Sequence, residues 1–193
     1  MTHSSKTWEE LLDPAKLQDK LICASLYVTA YEILKDSICE RIRSFYLFDL
    51  TDPDPASSAK YNSEVLARNR SPVYASLDWL LEHEAVEQSD IDSFEKIKST
   101  RNSVAHELQT YVLGGKEWDI VTQFQVLSAL LRKIEVWWLV NIEIPTNPDF
   151  DGQEIVADDI LPGPVLMLKL ILDVATGNQE FLAHFRNSST RPA

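Results

Sequence analysis

From Asp13-Pro14 to about Leu50, apolar residues recur in steps of three and four: Leu17, Leu21, Ala24, Val28, Tyr31, Leu34, Ile38, Ile42 and Phe45. That spacing lines one face of a helix and does not suit a strand, whose faces alternate every second residue. Asp13 is a good N-cap, and Pro14 fits the first helical position, where no amide proton is needed. A helix this long spans a whole small bundle or supplies part of a dimer face. A chain of 193 residues with only five Gly leaves little room for anything but more helices around it.

Thr51 to Ala59 (TDPDPASSA) reads as a turn-rich linker, and Tyr61 to Leu66 as helical or irregular. From Ser71 to Glu84 a helix is predicted, with Pro72 at its start and Val73, Leu77, Leu80 and Leu81 on one side. Asp119 to Ile142 forms an amphipathic stripe through Ile120, Phe124, Leu127, Leu131, Ile134, Trp138 and Ile142, with Trp137-Trp138 as heavy anchors. Pro164 to Ala175 is apolar nearly all round and stopped by Gly177, so it should be buried in the bundle or against a second subunit. The expected organisation is a loose start over 1–12, an all-α domain of five or six helices over 13–180 with an acidic loop at 143–163, and a tail over 181–193.

The net charge of −12 is a poor footprint for a general nucleic-acid binder, which neutralises phosphates with Lys and Arg. No stretch of about 18 uncharged apolar residues occurs, so no membrane span is expected. Cys23 and Cys39 fall in one helix, about 24 Å apart at its rise per residue, and cannot bridge each other. Two buried thiols suit a reducing, cytoplasmic setting. Residues 147–158 echo a calcium loop, with Asn147, Asp149, Asp151, Gly152 and Asp158 at the right spacing. An Asp at the last position and Pro148 inside the loop weigh against it, and the segment reads as a solvated acidic loop. With no HExxH, CxxC, P-loop or GxGxxG, neither a metal nor a cofactor is expected.

The stretch that points to chemistry is Ser89 to Leu108, SDIDSFEKIKSTRNSVAHEL. Ser89 is the expected N-cap, with Asp92 favouring the positive helix start, and the helix is expected to end near Val112, before Gly114-Gly115. Ile91, Phe94, Ile97, Val104 and Leu108 form an apolar stripe, and Arg101 falls within it. A guanidinium there needs a partner, such as Glu32 or Asp36 of the first helix, or a cleft for its head. A second ridge carries Glu95, Ser99, Asn102 and His106.

Arg101-Asn102-x-x-x-His106 resembles the Rx4-6H signature of the HEPN superfamily, in which a polar residue, often Asn, follows the Arg. In a chain of this composition, chance would supply Arg-Asn with a His at one of the permitted spacings about 0.02 times. The likeness is good over 66–139 and elsewhere covers only general architecture. It implies a small helical bundle, a homodimer that joins two copies of the motif, and a metal-independent RNA endonuclease of the toxin or phage-defence kind, with an antitoxin or other protein as partner. On that resemblance His106 is the general acid–base, Arg101 holds the phosphate and Asn102 orients one of them. Lys98, Arg68 and Arg70 are the local basic candidates for an RNA path. The superfamily also contains members that only bind partners, and the acidity of this chain suits such a helical interaction module.

Overall fold

The computed structural model describes residues 12–47, 55–112, 119–153, 155–178 and 180. Among these there is no strand, and the architecture is an all-α bundle. Its hub is α1, Pro14–Leu47, a helix about 51 Å long at 1.5 Å per residue. Around it lie α2 (Pro55–Glu64), α3 (Pro72–Glu82), α4 (Gln88–His106), α5 (Leu108–Val112), α6 (Ile120–Trp138) and α7 (Gly163–Ala175). Each of these six packs against α1, while α4 and α7 also pack on α6.

Ala24, Tyr31, Leu34, Ile38 and Ile42 of the α1 stripe are buried, joined by Tyr27 and Ala30 from the next ridge. Leu21 and Phe45 from the same stripe are 41% and 46% exposed, because neighbouring helices cover only the middle of so long a rod. Phe94, Ile97 and Val104 of α4 meet Leu127, Leu131 and Ile134 of α6 in one core with them. Trp138 belongs to that core at 3% exposure, its ring stacked on Trp79 of α3.

Several local expectations need correction. Part of the predicted linker is helix, since Pro55 opens α2 as a proline can at a first helical position. The predicted amphipathic helix over 119–142 stops being α-helical at Trp138, where a π turn, Leu139–Glu143, takes over. Helix α7 buries only Leu168, and Leu166, Met167 and Val174 face outward. Cys23 and Cys39 are half-buried free thiols rather than fully buried ones. The loose start over 1–11, the tail over 181–193 and Gly114-Gly115 lie outside the described residues. No helix among the described residues is long and apolar enough to cross a membrane.

A candidate site on the central helix

Helix α4 starts two residues before where Ser89 suggested. Glu87 is its N-cap, in a reciprocal capping box with Asp90, whose carboxylate accepts from the Glu87 amide at 2.8 Å. Lys133 of α6 donates to Asp90 at 2.6 Å and to Glu87 at 3.1 Å, tying this start to the core. Ser89 instead sits inside the first turn, where its carbonyl accepts from the Ser93 hydroxyl. The helix breaks at Glu107 rather than running to Val112, so His106 is its last residue.

Arg101 lies at the seam between α4 and α1. Its Nη2 donates to Glu32 Oε1 at 2.9 Å, and its Nη1 reaches Asn102 Oδ1 at 3.4 Å. The guanidinium carbon stands 5.4 Å from the centre of the Tyr31 ring, which in turn stacks against Phe94. Arg101 Nε is shut off from solvent and has no acceptor among the described residues. The partner anticipated for a guanidinium in the apolar stripe is thus Glu32. Glu32 also accepts from Lys35, and that hydrogen bond first, with Arg101 second among the lowering contacts, holds its carboxyl below the usual carboxylate range.

Asn102 and His106 open on the adjoining face of α4. They line a groove of about 420 Å³ with Glu95, Lys98, Ser99, Ser103 and Glu107. His106 is exposed at the mouth, while Asn102 is half-buried. Lys98 Nζ donates to the Tyr74 hydroxyl at 2.7 Å and lies 4.5 Å from that ring centre. The hydroxyl contact raises the Lys98 pKa, keeping a positive charge at the rim. The groove itself is of mixed sign, with two carboxylates beside one ammonium and one imidazole.

Of the three basic residues singled out for an RNA path, only Lys98 shares this groove. Arg68 pairs with Glu82, donates from Nε to the Glu64 carbonyl at 2.5 Å, and lines a separate groove with Tyr46, Trp79 and His83. Arg70 is exposed in the turn before α3.

Sequence reasoning missed a second polar cluster inside the bundle. Glu135 of α6 is fully buried and accepts hydrogen bonds from Ser37 and from Arg41 Nη2, the latter at 2.5 Å. Arg41 Nη1 continues to Glu143 in the π turn, at 2.5 Å. The signal was present: a carboxylate in the middle of the apolar run Ile134 to Trp138. In the loop that echoes a calcium site, Asn147 caps a short turn by accepting from the Asp149 amide at 3.0 Å. The Ala157 and Asp158 carbonyls accept from Arg132 at 3.2 and 3.0 Å. Among the described residues no three His, Cys, Asp or Glu side chains gather where they could hold a metal ion.

The architecture therefore defines an all-α bundle whose central helix carries an arginine, an asparagine and a histidine on two adjoining faces. Comparison with protein-family models, with curated proteins and with solved structures found no match to this chain.

Proposed function

We propose that the protein is a metal-independent RNA endonuclease of the HEPN type, acting as a homodimer in the cytoplasm as a toxin or phage-defence effector, with RNA as substrate and an antitoxin or similar protein as a possible controlling partner. The observation that supports this most is the open groove in which His106, Asn102 and Lys98 stand together, on the same helix as Arg101. The spacing on the helix also supports a two-subunit reading. Arg101 and His106 are five residues apart, which turns them about 140° from each other and separates them by about 7.5 Å along the axis. Two α4 helices related by a two-fold axis would face each other's motifs and bring both sets to one phosphate.

In that assembly the imidazole of one subunit takes the proton from a ribose 2′-hydroxyl as its oxygen attacks the adjacent phosphorus. Arg101 donates hydrogen bonds to the phosphoryl oxygens as negative charge builds on them. The second imidazole gives its proton to the departing 5′-oxygen. The products are a 2′,3′-cyclic phosphate and a 5′-hydroxyl.

A second reading, a non-catalytic helical module that binds a protein partner, is favoured by one observation: Arg101 already has a carboxylate partner in Glu32 of its own chain. Cleavage of single-stranded RNA in EDTA separates the two. The nuclease reading expects cutting by the full chain and its loss, by about a hundredfold or more, in His106→Ala and Arg101→Ala. Equal cutting by clean preparations of those variants removes the catalytic assignment.

A further inference from the structure

The two oxygens of the Glu32 carboxylate serve two cations from opposite directions. Oε1 accepts from Arg101 of α4, and Oε2 accepts from Lys35 one turn further along α1. None of the three side chains is deeply buried: Glu32 is 38% exposed, Lys35 37% and Arg101 30%. Two positive groups thus converge on one anion at a surface seam, with the Tyr31 ring as a floor beneath the guanidinium.

The incumbent anion is a partial fit. The edge of a guanidinium formed by Nε and Nη2 offers two parallel donors, which suit a two-oxygen acceptor. Glu32 engages Nη2 alone, and Nε–H is left enclosed without an acceptor among the described residues. A buried donor without a partner carries a cost, so this one-pronged pairing holds Glu32 less firmly than a two-pronged one would. A phosphodiester presents two unesterified oxygens at nearly the bite of a carboxylate, on a tetrahedral centre that can address Nη2 and the ammonium together when the Glu32 carboxylate leaves.

We propose that Lys35 and Arg101 form a seat for one backbone phosphate of single-stranded RNA, and that Glu32 occupies this seat in the free chain. The inference rests on the reading of the Arg101 face as the one RNA meets, and adds Lys35 as a binding residue and Glu32 as an internal competitor. Binding then exchanges one anion for another. With Glu32 in place the three groups carry one net positive charge; with it displaced to solvent, two cations face the phosphate. An acidic chain thereby keeps a phosphate site that is screened until a polyanion displaces the screen.

Direct binding tests this without relying on catalysis. A fluorescent single-stranded RNA ten-mer is titrated with full-length His106→Ala protein, so that the RNA is not consumed, and with the same chain carrying Glu32→Gln. The expected result is five- to tenfold tighter binding on Glu32→Gln, and a salt dependence steeper by about 0.7 in log–log slope, as for one added phosphate contact. Adding Lys35→Gln should take most of that gain back. Glu40→Gln, the same charge change at an exposed position of α1, should alter binding less than about twofold. Unchanged or weaker binding with Glu32→Gln overturns the proposal and makes Glu32 a support for the guanidinium. A gain that survives Lys35→Gln, one matched by Glu40→Gln, or no RNA binding by any of these chains overturns it equally. Absence of cutting by the unmodified chain, with the binding pattern intact, would defeat the nuclease reading and leave this one standing.

Discussion

The hydroxyl of Tyr27, in the middle of α1, donates to the backbone carbonyl of Ile97 in α4 at 3.1 Å. In an α-helix that carbonyl also receives the amide of the residue four positions on, here Arg101. The bond therefore pins the carbonyl to which the Arg101 amide is hydrogen-bonded, one turn before the candidate guanidinium, and it does so from the same helix that supplies Glu32 and Lys35. Tyr27→Phe removes the donor while leaving the ring in the core. It should cost about 1 kcal/mol in urea unfolding.

The same tyrosine gives a pH dependence. Burial, the dominant cause, pushes the Tyr27 phenol up to about 12 from its ordinary 10. The folded state holds this proton more tightly than the unfolded chain does. The stability linked to it is complete below about pH 10 and is lost as pH rises through 12. Thermal melts between these limits should show a decline in the unmodified chain that is shallower in Tyr27→Phe.

Arg41 bridges a fully buried carboxylate, Glu135, to the π turn through Glu143. Arg41→Met keeps much of the stem but leaves Glu135 in the core with, among the described residues, only the Ser37 hydroxyl as partner. Such removal of one member of a buried pair costs about 3–5 kcal/mol. Chemical denaturation of this variant, compared with Arg43→Met on the exposed face of α1, should show a large loss in the first and almost none in the second.

At the start of α4, Asp90→Ala should destabilise by about 1 kcal/mol, since it removes half of the capping box. Ser89→Ala, at the position the sequence pattern favoured as N-cap, should cost much less. A urea series on the two variants decides which residue caps the helix in solution.

If one cleavage event draws on the imidazoles of both subunits, a single altered histidine should silence a dimer. Mixing the unmodified chain with an equal amount of His106→Ala, followed by exchange of subunits, makes about half of the dimers hybrids with one imidazole. Cutting should fall to about a quarter of that given by the same total amount of unmodified protein, since only dimers of two unmodified chains cut. A fall to only about a half would give each subunit a complete site of its own.

Much of the architecture was legible from periodicity. Ile97 and Val104 are buried where the α4 stripe put them, as are Leu127, Leu131 and Ile134 on α6. Burial is a property of a helix face, and a single sequence displays that face directly. The groove shared by Asn102 and His106 was legible for the same reason, because their spacing places them on one ridge. What escaped were relations between helices far apart in sequence. Lys35 beside Arg101 depends on the rotation of α1 against α4, and the separation of Arg68 from His106 depends on how α3 stands beside them. The outward apolar face of α7 shows the same limit, since hydrophobicity alone does not say which neighbour covers which side. The α4 start went astray because Ser89 and Glu87 both offer a side-chain acceptor, and the reciprocal bond with Asp90 settles the choice for Glu87.

The π turn after Trp138 accommodates one residue more than an α-helical turn would. Removing one of the residues between Leu139 and Glu143 would restore ordinary winding and leave the chain beyond facing nearly as before, because the wider turn absorbs its extra residue without adding rotation. Glu143 would still meet Arg41, and the chain leading to the Arg132-bound loop would set off in the same direction. A residue removed from within α6 has no such slack and would swing everything after it by about 100°. The bundle should consequently forgive a deletion in this segment that it would not forgive one turn earlier.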